Sequence, residues 1–213
     1  MYSLTCSLFG EIVKAGTCIL IAGRPSIGKT LLAFNLIAQN SDKEIIYFAT
    51  DWQPDRIYRR INMAFASNGK KKNNRTALRE LSSLKEVLSV QQPSIIIVDY
   101  LNGIVNSGSL GYNETIKALK NYAVSSECIL IILTQQNRLY QGESNYCFSI
   151  ADISGVTNLE NIDRCYIATR PSYYDKSTSD CITLNTIKGS TESKIVNCNL
   201  ELCFAYVVTS IFH

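Results

Sequence analysis

The stretch GRPSIGKT, residues 23–30, sets Gly23, Gly28, Lys29 and Thr30 at the spacing G-x-x-x-x-G-K-T directly behind the apolar run TCILIA. That spacing suits a loop that wraps phosphate. Glycine at 23 and 28 permits backbone conformations that a side chain would obstruct, so successive N–H groups can turn inward around anionic oxygens. A lysine behind the second glycine reaches the outer phosphates, and the hydroxyl of Thr30 suits Mg²⁺. A helix beginning near Gly28 adds the positive end of its dipole at the same place. Gly23, Arg24, Pro25, Ser26, Ile27 and Gly28 form the expected phosphate loop, and Lys29, Thr30 and Leu31 open the helix behind it.

Three further groups stand where chemistry on a bound phosphate would need them. PSIIIVDY ends an apolar run on Asp99, and a carboxylate at the C-terminal end of a central strand faces the crevice where α/β sheets bind ligands. Beside a phosphate loop, its expected work is to support the Mg²⁺ shell next to Thr30. IIYFATDWQPDR ends a second apolar run near Asp51. This carboxylate either orients an attacking water as a general base or caps the helix that QPDR opens. LIILTQQNR ends a third run on Gln135, Gln136, Asn137 and Arg138. Amides at such a tip either sense the terminal phosphate or simply carry the chain out into solvent.

The elements that position these residues follow from periodicity. Apolar runs expected as buried strands recur at 17–22, 44–50, 94–100, 128–135 and 164–170. Helical spacing separates the first four, at 28–40, 53–66, 76–90 and 113–126. Strands alternating with helices predict a mostly parallel central sheet flanked by helices. After 170, the runs 180–187, 193–200 and 201–208 alternate more and are linked by short turns, which predicts antiparallel strands at the C-terminal edge. The chain has 213 residues, 46% hydrophobic and 18% charged, which suits a single α/β domain over 1–213.

Net charge is only +3, so overall charge does not announce a nucleic-acid binder. The distribution is uneven. Arg56, Arg59, Arg60, Lys70, Lys71, Lys72, Arg75, Arg79 and Lys85 stand against Asp55, Glu80 and Glu86, a basic cluster expected on an outer surface or a subunit contact. Eight cysteines form no C-x-x-C pair, and His213 is the one histidine, which argues against zinc. Cysteines in strand-like runs read as small buried hydrophobes in a reducing compartment. With no run of membrane-crossing length and no signal-peptide pattern, the expectation is a soluble cytoplasmic protein without a membrane partner.

Taken in order, these segments resemble the RecA-like ATPase core of DnaB-type replicative helicases. AGRPSIGKT is similar to that family's first motif, down to the Arg-Pro-Ser filling, and IIIVDYLNGI to its Walker B segment. YFATDWQPDRIYRR resembles the segment carrying the catalytic glutamate. NETIKALKNYAVSSECILIILTQQNR follows the helix–strand pattern that ends in Ser-Gln-Leu-Asn-Arg in the family, and ADISGVTNLENIDRCYIATRPSYYD its downstream stretch. The likeness runs over residues 8–208.

The resemblance implies a P-loop NTPase using ATP and Mg²⁺, assembled as a homo-oligomeric, hexameric ring around single-stranded DNA, with a primase or loader as candidate partner. Carried over by position, Lys29 and Thr30 hold phosphate and Mg²⁺, Asp99 is the Walker B carboxylate and Gln135 the γ-phosphate sensor. Asp51 stands where the family has glutamate, one methylene shorter. Lys188 alone stands where the family has a Lys-x-Arg pair reaching the neighbour's nucleotide, so trans stimulation is expected to be weaker. The segment 101–114 after Walker B holds no Lys or Arg, which leaves Arg138 as the DNA-channel candidate. The expected activity is therefore an ATP-hydrolysing helicase core. The competing readings are a RecA- or clock-protein-like ATPase switch without unwinding, and a nucleotide-binding scaffold with degraded catalysis.

Overall fold

The apolar segments line up side by side because their backbones have no other way to satisfy N–H and C=O groups once buried. The computed structural model describes residues 5–8, 11–71, 75–137, 148–170, 181–189 and 194–197. The strands are β1 Thr5–Leu8, β2 Glu11–Lys14, β3 Cys18–Gly23, β4 Ile45–Ala49, β5 Thr76–Glu80, β6 Ile95–Asp99, β7 Ile129–Gln135, β8 Arg164–Thr169, β9 Cys181–Lys188 and β10 Lys194–Asn197. The helices are α1 Lys29–Gln39, α2 Pro54–Ser67, α3 Leu84–Leu88, α4 Leu101–Ser107 and α5 Tyr112–Ser125. β1 and β2 pair as a separate antiparallel hairpin, and the rest form one sheet in the order β10-β9-β8-β3-β7-β6-β4-β5. From β8 to β5 every neighbour is parallel; β9 and β10 extend the other edge antiparallel.

Side chains alternate across each strand, so the sheet makes two cores. Ile19, Ile21, Tyr47, Ile97, Ile131 and Leu133 face α1 and α2. Leu20, Ala22, Ile96, Val98, Leu130 and Ile132 face α3, α4 and α5. Burial on both faces explains why these strands read as unbroken apolar runs. At the end of the sheet away from the phosphate loop, Lys120 of α5 pairs with Asp163 and donates to the Gly16 carbonyl at 2.6 Å. Asp163 in turn accepts from the Cys18 N–H at 2.7 Å, fixing the start of β3. Cys18, Cys128 and Cys165 are buried free thiols, and burial pushes Cys18 and Cys165 up to about 12.

Five expected strands and three expected helices fall within a residue or two of the observed ones, and the antiparallel edge is present as β9 and β10. The run 201–208 lies outside the described residues. The helix expected at 76–90 is a correction: residues 76–80 are the edge strand β5, and only Leu84–Leu88 are helical. The open edge of β4 supplies partners that a solvated helix would lack, with Ile45 to Ala49 pairing in register with Thr76 to Glu80. Ser83 then starts α3 afresh, its side chain accepting from the Glu86 N–H. The segment after Asp99, expected as a loop, begins with helix α4. Among the described residues no helix is long and apolar enough to cross a membrane.

One contact ties α4 to the strand tips. A Cβ on Gly103 would lie 1.8 Å from Thr50 Cγ2. Thr50 cannot swing away cheaply, because its N–H and Oγ1 donate to the Asp99 carbonyl at 2.8 and 3.2 Å, and its Oγ1 accepts from the Tyr100 N–H at 3.2 Å. Gly103→Ala is expected to lower stability by about 1–3 kcal/mol through overpacking, outweighing the roughly 1 kcal/mol of helix propensity that alanine adds. Denaturant unfolding checks this, and an equally or more stable variant contradicts it.

Candidate functional site

Four parallel strands in fixed register bring three loops to one edge. Gly23 of β3 pairs with Gln135 of β7 and Ala168 of β8, while Asp99 of β6 pairs with Leu133 of β7 and Ala49 of β4. Past Gly23 the chain turns through residues 24–27 into α1. Ser26 at φ 64° and Gly28 at φ 107° take left-handed conformations that curl this turn. Gly23 is pressed against β8: a Cβ there would sit 2.9 Å from the Ala168 carbonyl oxygen. Gly28 caps α1 without a side-chain bond, and no acidic residue occupies the first turn, so the helix terminus stays available to an anion.

Lys29 is 3% exposed, and its amine donates to the carbonyls of Gly23 at 2.7 Å and Arg24 at 2.8 Å. It also lies 5.4 Å from the centre of the Tyr100 ring. Burial pulls its pKa down to about 8, against the opposing pull of Asp99. The Thr30 hydroxyl donates to Asp99 Oδ2 at 2.8 Å and lies 3.1 Å from the Tyr100 hydroxyl. Asp99 is itself buried, and its other oxygen, Oδ1, has no partner. Burial raises its pKa, and hydrogen bonds from Tyr47 and Thr30 hold it back down. A buried carboxylate oxygen without a donor, next to a threonine hydroxyl and a phosphate loop, fits a hydrated divalent cation.

These groups border a cleft of about 590 Å³, a size suited to a nucleotide-scale ligand. Ser26, Gly28, Lys29, Thr30, Leu31 and Asp99 lie on its wall, as does Asp51. Asp51 is exposed, with Oδ1 accepting from Gln53 Nε2 at 3.0 Å. The N-cap of α2 is Gln53, so Asp51 does not cap that helix. Gln135 stands at the exposed tip of β7 beside Gly23 but is not among the residues lining the cleft. Lys188 ends β9 with its amine donating to the Leu159 carbonyl at 2.7 Å, away from the cleft. Arg138 and Lys72 lie outside the described residues.

Several lining residues escaped the sequence reading. Arg56 and Arg60 of α2 border the cleft, which corrects the assignment of the whole basic cluster to an outer surface or a subunit contact. Their i, i+4 spacing on one helical face, four and eight residues past Trp52, was the available signal. Tyr47, Tyr100 and Arg170 also line it. Tyr100 directly follows the Walker-type aspartate, but nothing in sequence alone points Tyr47 at that carboxylate.

No family model matches the chain, and no curated protein matches it. Its fold is shared with solved structures. The chain is similar to a solved helicase ATPase domain, with a TM-score of 0.65 at 17% identity over 84% of this chain and 80% of that one. It is similar also to a DnaB-like replicative helicase whose structure was described together with its interactions with primase, with a TM-score of 0.67 at 16% identity over 85% of this chain. The chain spans 54% of that helicase. The fold is thus that of the RecA-like ATPase domains of DnaB-like helicases, a mostly parallel sheet between layers of helices.

Because the phosphate-facing lysine titrates near 8, nucleotide affinity acquires a pH dependence of known sign. Phosphate takes the protonated amine. Below pH 8 the amine already carries its proton and affinity is flat; above it, binding must take up a proton, and affinity falls by up to about tenfold per unit. Fluorescence titrations with labelled ADP from about pH 7 to about pH 9.5, spanning that value, check this. Constant affinity across that range contradicts a buried Lys29 as the phosphate ligand.

Proposed function

We propose that this chain is the ATP-binding and ATP-hydrolysing core of a DnaB-like DNA helicase, acting with Mg²⁺ on single-stranded DNA in replication. The observation that carries the reading is the convergence of Lys29, Thr30 and Asp99 on one cleft, with a buried Asp99 oxygen lacking a partner. In this reading residues 1–213 act as one RecA-like domain.

Each residue then has a task set by its position. Lys29 exchanges two neutral carbonyls for phosphate oxygens, which are stronger partners because they are charged. Bound Mg²⁺ would neutralise charge on the transferring phosphoryl group, and Thr30 and Asp99 are the residues that would hold it. Asp51, on the cleft wall, is the general base for the attacking water. Gln53 restrains the Asp51 carboxylate and so limits where its short side chain points. Gln135, adjoining Gly23 at the next strand tip, reports the γ-phosphate to the segment beyond it, where Arg138 contacts DNA phosphates. Assembly into a hexameric ring would bring Lys188 towards a neighbour's nucleotide. A primase is the partner suggested by the description of the DnaB-like neighbour.

One observation favours a second reading, an ATPase switch that does not unwind DNA. The Lys188 amine is occupied by the Leu159 carbonyl of its own chain, so a trans contact would have to break that bond first.

Asp51→Asn is expected to keep ATP affinity while hydrolysis falls by about 10²–10⁴-fold, the usual worth of a general base. Turnover and equilibrium binding measured on the same preparation check it. Normal hydrolysis by Asp51→Asn removes Asp51 from the mechanism. Strand separation assayed beside hydrolysis chooses between the helicase and the switch.

A further inference from the structure

We propose that Tyr47 is a positioning residue for the metal–nucleotide site, fixing which oxygen of Asp99 is presented to the cation; this rests on the nucleotide-site reading above. Tyr47 sits in the middle of β4 and is 1% exposed. Its ring packs against Phe34 of α1 at a centroid distance of 5.3 Å. Packing alone would be served as well by phenylalanine. The hydroxyl is what distinguishes this residue, and a buried phenol must find a partner. It finds Asp99 Oδ2, to which it donates.

Thr30 Oγ1 donates to that same oxygen at 2.8 Å. Two donors from different elements, one from the floor of the cleft and one from the phosphate loop, therefore converge on Oδ2. Oδ1 is left buried and without a partner. A carboxylate held on one oxygen cannot rotate freely about its last bond, so Tyr47 and Thr30 together decide that Oδ1 is the oxygen open to a donor. A water from the hydration shell of Mg²⁺ supplies such a donor, and an unpaired buried acceptor is relieved when it arrives. The Thr30 hydroxyl is shared, because its oxygen must also serve the cation. Tyr47 has no second task, and holds Asp99 in place whether or not Thr30 is engaged.

The consequence is specific to Mg²⁺. Tyr47→Phe keeps the ring and removes one oxygen. Nucleotide affinity in EDTA is expected to stay as in the wild type, while the gain in affinity on adding Mg²⁺ shrinks by roughly tenfold, the fold-change matching one hydrogen bond to a charged group. Tyr47→Leu, which also lacks the hydroxyl, gives the same shrinkage and serves where the phenylalanine variant does not fold. In an Asp99→Asn background, Tyr47→Phe changes the Mg²⁺ gain no further, because the carboxylate it positions is gone.

Calorimetric titrations of ADP with and without Mg²⁺ on the wild type, the two single variants and the double variant decide it. An unchanged Mg²⁺ gain in Tyr47→Phe, an equal loss with and without the cation, or additive effects with Asp99→Asn each overturn the assignment while leaving the nucleotide site standing. Wild-type protein that binds ADP with no gain from Mg²⁺ overturns the metal-site reading and this inference together.

Discussion

The hydrogen bond from Thr30 to Asp99 joins residues 69 positions apart, and the rest of the site depends on it. β3 and β6 are not neighbours: β7 lies between them. Thr30 and Asp99 can meet only if both strands hold their register against β7, with Gly23 opposite Gln135 and Asp99 opposite Leu133. A slip by one residue in either pairing would turn the apolar sets of that strand to the wrong face. The cores on both sides of the sheet therefore protect the alignment of two polar side chains at its edge. The Thr50 bonds to Asp99 and Tyr100 perform the same service between β4 and β6.

Lys29 and Asp99 are both buried to 3% exposure, and each is satisfied in a way a ligand can improve. The lysine donates to two carbonyls that are already part of the loop. The aspartate has two donors on one oxygen and none on the other. Burying charge is costly unless it is well paired. Here the incomplete pairing is confined to the atoms that face phosphate and cation, and the surrounding aromatics, Tyr47 and Tyr100, hold those atoms in place without competing for the ligand's own position. The loop is thus built before anything binds to it, which lowers the ordering cost of binding.

Much of this was legible in the sequence, for physical reasons that differ by element. β3, β6 and β7 are buried on both faces, so their identity survives as unbroken apolar runs, and the glycine spacing of residues 23–30 is a direct record of backbone conformation. β5 was not legible. ALRELSSLKEVL carries helical spacing of leucines, and only the unfilled edge of β4, a tertiary fact, makes its first half a strand. The side chains on the cleft wall divide the same way. Asp99 and Lys29 are placed by strand ends and loop chemistry. Arg56, Arg60 and Tyr47 are placed by how α2 and β4 pack across the sheet, which no local pattern records.

The central claim is that Lys29, Thr30 and Asp99 together form a Mg²⁺–nucleotide site. Calorimetric titration of ATP, with Mg²⁺ present, into the wild-type protein and into folded Lys29→Ala tests it most directly. The account predicts one ATP bound per wild-type chain and no measurable binding to Lys29→Ala, with matching far-ultraviolet circular dichroism for the two proteins. Equal ATP affinity in both, or none in the wild type, would contradict it.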